Sequence, residues 1–429
     1  MTMFRTLRAA ATLALLATCA FAGTAFAAGP AARAAPHPTF GAGWRAFVPD
    51  PGRVVGVYIP NWEPPALMER LPPGSVTHAL YAFLRICGPG QLPKDEAACA
   101  QRQAFQLASS DTEKTFDAAF TKLKQREPAL KVLASVGGWG GSDPFFHFVN
   151  EPARRAVFVA SAADFLRAHP AFDGIDIDWE HPTSNGSANG VALGAPEDGE
   201  GYAALMHDLR RALDALGSQT QRRYLVTSAV NTTDAIVKKV NFRAAAPALD
   251  LIFMMTYDHY GSWSAAAGHH AALRDSRPGA NDSLAGAVQA MGEAGVPKAK
   301  LVAGVAMYGR GFEGVQPLRG GQFSGAPKSG PFPPGDGSLT YREIAALYLD
   351  AQGRGKGGFR VMLDPLTLGY GLWSPSTKRY LGYDDPRAVL AKGIYARREG
   401  LAGVFAWELS QDNGDLLDAM NRGMGKRPR

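Results

Sequence analysis

The sequence predicts an α/β fold, a (β/α)8 TIM barrel with a small α+β insertion domain between strand 7 and helix 7. Three observations support this prediction. Eight short β-rich apolar runs recur along the chain, helical segments lie between several of them, and one interval is much longer than the others. Most runs are continuously apolar, which suits strands buried on both faces of a parallel sheet. The pattern alone leaves a doubly wound open sheet as the main alternative.

The eight apolar runs are the predicted barrel strands, and the segments between them supply the predicted helices. Phe116, Phe120 and Leu123, for example, lie at helical spacing. The predicted strands are residues 54–59, 79–86, 131–136, 174–178, 224–230, 251–256, 301–307 and 403–407, and the predicted helices are 112–126, 154–168, 202–216 and 283–294.

The interval after the seventh run does not fit a plain barrel. Residues 311–385 number 75, too many for a bare loop. They include a helix-like run at 341–349 and strand-like pieces near 360–363 and 372–383. We therefore assign residues 52–310 and 386–425 to the barrel and residues 311–385 to an α+β insertion.

The N-terminal residues have the three-part pattern of a secretory signal peptide. A short basic region with Arg5 and Arg8 precedes an apolar run, and a small-x-small site ends at Ala27. An uncleaved membrane anchor is the alternative, but the apolar run is short for one. We predict a signal peptide at 1–27, an extended leader at 28–51, and secretion to an extracellular or periplasmic location.

Cysteine usage agrees with an exported protein. Cys19 leaves with the signal peptide, and Cys87 and Cys99 flank a Gly/Pro-rich polar segment. An oxidising compartment favours a disulfide between them, although two free thiols are the alternative. No Cys/His cluster has zinc spacing.

The charge of the chain excludes some partners. The net charge is +6, from 45 basic and 39 acidic residues, and the basic residues are scattered. Without a basic stripe or binding motif we expect no nucleic-acid partner. No other apolar stretch is long enough to span a membrane, so we expect no membrane contact after signal cleavage. We also expect a monomer.

The segment D-G-I-D-I-D-W-E, residues 173–180, is the most informative stretch. Its strict alternation places Asp176, Asp178 and Glu180 on one face of a predicted strand, about 6.6 Å from one to the next. Burying such a row is costly for a purely structural purpose. A metal site is the better alternative, but no histidine lies at ligand spacing, so an acid–base site explains the row best.

Electrostatics suggests roles for these acids. Three carboxyls this close cannot all ionise cheaply, so at least one pKa rises. Glu180 follows the carboxyl end of the strand, where barrel enzymes carry their catalytic groups. A raised pKa would keep Glu180 protonated and able to donate to a leaving oxygen.

The pattern D-G-x-D-x-D-x-E resembles the signature of the family 18 glycoside hydrolases, the chitinases and their relatives. Four other segments are similar to motifs of that family, and they occur in the same order. They are S-V-G-G at 135–138, M-T-Y-D at 255–258, Y-G-R at 308–310 and the tryptophan Trp407. The long insertion lies where bacterial chitinases of subfamily A carry theirs.

The resemblance implies a retaining hydrolase in which the substrate's own acetamido group is the nucleophile. It assigns Glu180 as general acid and base and Asp178 as the partner of the acetamido N–H. From the electrostatics of the acid row, we expect Asp176 to share or stabilise a proton with Asp178. Tyr257 would hydrogen-bond the acetamido group. No cofactor or metal is implied.

The resemblance also implies a cleft for chitin or chito-oligosaccharides. Trp407 would form the floor beneath the reacting sugar, and Trp139 would stack on the leaving side. Trp62 and Phe312 are further aromatic candidates near strand ends. The substrate-binding set is Tyr58, Phe83, Trp139, Met255, Asp258, Tyr308, Arg310 and Trp407.

Two features stand outside this pattern. His181 follows Glu180 where relatives often have Tyr, and the sequence gives no firm account of it. His269 and His270 have no ligand partner at metal spacing, so we expect them on the surface.

The sequence therefore predicts a secreted chitinase that cleaves β-1,4 links between N-acetylglucosamine units. An endo-β-N-acetylglucosaminidase acting on N-glycans is the first alternative, although the insertion favours a long linear substrate. A non-catalytic chitin-binding lectin is the second alternative, but such relatives usually lack the terminal acid that Glu180 supplies.

Overall fold

Eight parallel strands form a closed barrel, as the sequence predicted, in a computed structural model that describes residues 40–41, 43–326 and 331–429. Strands of consecutive number are hydrogen-bonded neighbours, and β1 also pairs with β8, which closes the barrel. The strands are β1 Val54–Pro60, β2 His78–Ile86, β3 Lys131–Gly137, β4 Gly174–Asp178, β5 Leu225–Val230, β6 Leu251–Met254, β7 Leu301–Ala306 and β8 Gly403–Trp407.

Helices surround the barrel because each buries one apolar face against it. The helix Asp111–Arg126, for instance, buries Phe116, Phe120 and Leu123, the three side chains at helical spacing in the sequence. Its N-terminus is fixed by a capping box between Ser110 and Glu113. The other described helices of eight or more residues around the barrel are Pro152–Ala168, Asp198–Thr220, Leu284–Glu293, Pro386–Glu399 and Asp415–Gly423, and Tyr341–Tyr348 belongs to the insertion.

The strands separate two apolar layers. The large outer core lies between the strands and the helices, and on β4 it receives Ile175 and Ile177. A smaller cluster fills the barrel interior and includes Leu80, Phe253 and Phe405. Successive side chains of a strand point to opposite sides, so the intervening acids of β4 point into the barrel.

The insertion is built around a five-stranded antiparallel sheet. Its strands, in spatial order, are Ser338–Thr340, Tyr308–Phe312, Arg379–Tyr383, Tyr370–Ser374 and Arg360–Leu363. The first insertion strand starts at Tyr308, three residues before our sequence boundary at 311. It follows β7 after one residue, and this short spacing hid it from the sequence analysis.

Segments near the two ends of the described region pair with each other. The backbone N–H of Val48 donates to the carbonyl oxygen of Arg427, and that of Arg429 donates to Ala46. Residues 1–39, which include the predicted signal peptide and most of the leader, lie outside the described residues. In the part that is described, no helix is both long and apolar enough to cross a membrane.

The predicted disulfide joins Cys87 and Cys99. It closes the loop that follows β2, and the loop's own short helix, Glu96–Cys99, carries the second cysteine. Ala98 and Ala108 pack against the bridge.

Candidate active site

The acid row lies where β4 ends, inside the barrel. Strand register places Ser135 of β3 and Thr227 of β5 directly beside Asp176, and Gly137 of β3 beside Asp178. Gly137 has φ +114°, and a Cβ there would lie 2.2 Å from the carbonyl oxygen of Asp178. Only glycine permits this close approach, which explains one glycine of the S-V-G-G segment.

Asp176 is completely buried and accepts three hydrogen bonds from hydroxyl groups. Thr227 donates to its Oδ1 at 2.6 Å, and Ser135 and Tyr58 donate to its Oδ2 at 2.7 and 2.9 Å. Burial raises the pKa of Asp176, and these three hydrogen bonds oppose that rise. Asp176 is thus held in one orientation as the inner member of the row.

Asp178 has the least complete hydrogen bonding of the three acids. Its Oδ1 is buried and has no hydrogen-bond partner. Burial and the neighbouring carboxyl groups of Glu180 and Asp176 raise its pKa well above the ordinary value, while Arg85 opposes the rise. An unpartnered carboxyl oxygen in a reaction site is available for a ligand N–H.

Glu180 lies just past the strand end and borders the cleft. Its backbone N–H donates to Ser142 Oγ at 3.0 Å, and its side chain is 15% exposed. Burial and the charge of Asp258 raise the pKa of Glu180 to about 8, against a hydrogen bond from the backbone of Trp139. Glu180 is therefore protonated at neutral pH and can serve as a proton donor.

His181 lies beside this acid as a neutral imidazole. Its Nε2 is 3.9 Å from Glu180 Oε2 and 3.5 Å from Asn231 Nδ2. Burial lowers the pKa of His181 to about 4. The imidazole therefore adds no positive charge next to Glu180 at neutral pH.

A clamp holds Asp258 at the other side of the site. Arg310 donates from Nε and Nη2 to the two Asp258 oxygens, at 2.9 and 3.1 Å. Burial alone would raise the pKa of Asp258, but the nearby His270 imidazole, whose Nδ1 lies 3.6 Å from Asp258 Oδ1, and the hydrogen-bonded Arg310 guanidinium outweigh it and lower that pKa. Asp258 thus stays ionised, and its charge favours the protonated form of Glu180.

Tyr257 supplies a phenol next to the carboxyl groups. Burial and the charges of Asp178 and Glu180 raise its pKa well above the ordinary value, so it stays protonated. Its ring meets Tyr308 edge-on at 6.2 Å. Tyr257 can therefore act as a hydrogen-bond donor at any pH at which the protein works.

Aromatic side chains border the cleft in two layers. Trp62, Trp139 and Trp263 are 57%, 60% and 58% exposed, so each presents a free ring face. Trp407 lies lower and stacks on Phe83 with 5.5 Å between ring centroids. Flat exposed faces beside carboxyl groups are suited to stacking against sugar rings.

The structure places several predicted substrate-binding residues below the cleft surface. Tyr58, Phe83 and Tyr308 are buried, and Tyr58 is only 1% exposed with its hydroxyl on Asp176. Tyr58 and Phe83 both pack against Trp407, and contact of Tyr58, Phe83 and Tyr308 with substrate stays a prediction. Met255 is half-buried and packs with the interior cluster.

Two expectations were wrong. Phe312 is buried against Ala267, Val315 and Tyr380, so it offers no face to a ligand. His269 and His270 are buried instead of exposed, because the insertion covers their loop and Tyr380 hydrogen-bonds His269 Nδ1 at 2.7 Å.

Several residues of the site could not be identified from the sequence. Ser142 and Thr227 contact the acid row, Arg85 acts on Asp178, and Trp263 packs against Arg310. Only strand register could have identified Thr227, and it depends on contacts between segments 51 residues apart. In the described parts of the chain, no group of three or more His, Cys, Asp or Glu side chains is arranged to hold a metal ion.

Comparison with known proteins agrees with this geometry. The profile described as "Glycosyl hydrolases family 18" matches residues 54–412. "Chitinase A" of Pseudoalteromonas piscicida is 36% identical, over 87% of this chain and 52% of that protein. This chain therefore spans about half the length of that relative. A "Probable endochitinase" of Orgyia pseudotsugata multicapsid polyhedrosis virus is 33% identical, over 82% of this chain and 68% of that protein.

A solved structure gives the same result. The family 18 chitinase from Cycas revoluta, crystallised with (GlcNAc)3, superposes with a TM-score of 0.68 at 25% identity. The match covers 87% of this chain and 100% of that one. With the profile match over residues 54–412 and a closed (β/α)8 barrel carrying D-G-x-D-x-D-x-E on its fourth strand, the chain belongs to the family 18 glycosyl hydrolases.

Proposed function

We propose that the protein is a secreted chitinase that hydrolyses β-1,4-N-acetylglucosamine links with retention of configuration. The observation that carries this proposal is the pair of Glu180 and Asp178. Glu180 has a pKa of about 8 and can donate a proton at neutral pH, while Asp178 Oδ1 beside it has no partner. The exposed tryptophans above them support a polysaccharide as substrate.

In the first step, the acetamido carbonyl oxygen of the sugar attacks its own C1. The bond from C1 to the leaving oxygen breaks, and the Glu180 proton moves to that oxygen. An oxazolinium ion forms, and the Asp178 carboxylate accepts the acetamido N–H and balances the positive charge. Tyr257 donates to the acetamido oxygen and orients it, and Trp407 supports the sugar ring.

In the second step, the Glu180 carboxylate takes a proton from water while the water oxygen attacks C1. The C1–oxygen bond of the oxazolinium breaks and restores the acetamide. Two inversions at C1 leave the product in the β configuration. Asp176, held by three hydroxyls, provides the partner with which Asp178 shares charge through the cycle.

Relatives named as chitinases support the substrate class, and the Cycas revoluta complex shows that a protein of this fold binds (GlcNAc)3. The predicted signal peptide supports secretion. The test is to incubate the purified protein with chitin oligomers and, separately, with a high-mannose glycoprotein. We expect shorter oligomers from the first and no released glycan from the second. Glycan release alone would indicate the N-glycan enzyme, and binding without products would indicate the lectin.

A further inference from the structure

Arg85 is a mostly buried cation beside the acid row, and the reaction described above gives it no role. It lies on β2, on the same face as Phe83, after a register irregularity between Ala82 and Leu84. Its guanidinium carbon is 5.1 Å from the centre of the Phe83 ring, and its side chain is 15% exposed. Arg85 thus packs against the Phe83 ring, which itself stacks on Trp407.

The guanidinium is tied to the backbone that holds Asp178. Arg85 Nη1 donates to the carbonyl oxygen of Gly137 at 2.6 Å. Gly137 is the register partner of Asp178, and the next residue, Gly138, donates from its N–H to the Asp178 carbonyl at 2.8 Å. A substitution at Arg85 would therefore affect the position of Asp178 through the backbone turn at Gly137–Gly138.

The charge of Arg85 is only loosely balanced. Asp95 Oδ2 lies 3.8 Å from Arg85 Nε, too far for a hydrogen bond, and is a buried oxygen without a partner. The charge of Glu113 also acts on Arg85, but Glu113 Oε1 accepts a hydrogen bond from the Tyr81 hydroxyl at 2.6 Å. Asp95 is held within the loop that the Cys87–Cys99 disulfide closes.

Two carboxyl groups and one cation act on Asp178. Burial and the carboxyls of Glu180 and Asp176 raise its pKa, and Arg85 is the group that lowers it. The phenols of Tyr58 and Tyr257 also lie in this electrostatic neighbourhood. Among buried carboxyl groups, one cation has a larger effect than it would have in water.

We propose that Arg85 is a positioning residue for the hydrolysis, holding the Gly137–Gly138 turn against Asp178 and favouring the carboxylate form of Asp178 that accepts the acetamido N–H. This inference rests on the proposed function. Arg85 itself does not touch the reacting atoms. Its effect is on the position and charge of Asp178.

The test compares the pH dependence of kcat on a chitin hexamer in the wild type and three variants. Arg85→Met removes the charge, so Asp178 ionises at higher pH and the acid limb should move upward by about one pH unit. Asp95→Asn removes the negative charge that opposes Arg85, so the acid limb should move to lower pH, by less than in Arg85→Met. Arg85→Lys should keep the limb near the wild-type position while lowering kcat, because one ammonium cannot replace the bond to Gly137 together with the packing on Phe83.

We expect the acid limb to shift in opposite directions in Arg85→Met and Asp95→Asn. Loss of packing alone would not shift the limb in opposite directions in the two variants. An unmoved acid limb in Arg85→Met, or movement of both variants in the same direction, would overturn the inference. If Arg85→Met does not fold, the acid limb of Asp95→Asn tests the inference alone. A shift of that limb to lower pH supports the positioning role of Arg85, and no shift contradicts it. A wild type that fails to cleave the hexamer would instead refute the proposed function.

Discussion

Glu180 and Asp176 lie on the same strand face, yet their surroundings give them different chemistry. Asp176 accepts three hydroxyl groups in the closed interior, whereas Glu180 lies past the strand end with its carboxyl beside the cleft. Burial and the ionised Asp258 keep Glu180 protonated to about pH 8. Two carboxyls of one motif can therefore divide the work of charge stabilisation and proton transfer.

Replacing Glu180 by Gln should abolish most turnover. The amide keeps the size and hydrogen bonding of the side chain but cannot donate or accept the proton. Because the proposed mechanism uses this one residue as both acid and base, the loss in kcat should reach about 10⁴-fold, the upper end for general acid–base groups. Steady-state assays on a chitin tetramer or hexamer measure it, and calorimetry should show that oligomer binding survives. More than a tenth of wild-type turnover in Glu180→Gln would contradict the assignment, as would loss of wild-type activity on adding a chelator.

The same substitution should also stabilise the fold at alkaline pH. The pKa of Glu180 is raised above its unfolded value, so the stability it contributes is fully present below about pH 4.5 and is lost as pH rises through about 8. Gln carries no such penalty. The melting temperature of Glu180→Gln should therefore rise relative to the wild type between pH 5 and roughly 9, and match it near pH 4. A constant difference at all pH values would indicate a simple packing effect.

Substitutions of the two aspartates should lower kcat to different extents. Asp178→Asn cannot balance the cationic intermediate, so kcat should fall by at least about 10²-fold. Asp176→Asn should cost less and should alter the pH profile, because it changes the shared charge and leaves the reacting groups in place. Measuring kcat against pH for both variants tests the order. A milder effect from Asp178→Asn than from Asp176→Asn would reverse the roles of the two aspartates.

At the scale of elements, sequence pattern predicted the strands well because buried parallel strands are short and continuously apolar. The run at 174–178 matches β4 residue for residue, and its alternation correctly separated inward acids from outward isoleucines. Pattern could not show which strands become neighbours in register. That is why Ser135 was seen only as part of a motif, and Thr227 was not seen as a partner of Asp176.

The sequence pattern also could not show which residues the insertion buries. Phe312 and the His269–His270 pair looked available as cleft or surface residues, and both are buried where the antiparallel sheet packs on the barrel loops. The exposed Trp263 was missed for the opposite reason. It lies in a loop after β6, away from any strand end, and its ring is fixed by the Arg310 guanidinium 5.0 Å away.

The loop after β2 yields a prediction of its own. The Cys87–Cys99 bridge closes a short loop, so its loss should cost about 3 kcal/mol of stability on the chain-entropy model. Reduction, or the Cys87→Ala/Cys99→Ala double variant, should lower the melting temperature while activity at the pH optimum and room temperature persists. Thiol titration of the denatured, unreduced secreted protein should find none, and two titratable thiols would refute the bridge.

For the whole molecule, a barrel interior lined at one end by carboxyl groups links activity to pH. Glu180 must begin each cycle protonated, so kcat/KM should fall as pH rises through about 8. Asp258→Asn would remove a negative charge that raises the Glu180 pKa, and should move this alkaline limb to lower pH. An alkaline limb that stays in place in Asp258→Asn would show that a different group controls it.

The central claim is that the substrate's own acetamido group is the nucleophile and that Glu180 serves it as acid and base. Proton NMR of the products within the first minutes of hydrolysis of a chitin oligomer tests this most directly, because anomers interconvert only slowly. We expect the β anomer first, and no cleavage of the same oligomer after complete N-deacetylation. The α anomer appearing first, or cleavage of the deacetylated oligomer at a comparable rate, would contradict the claim.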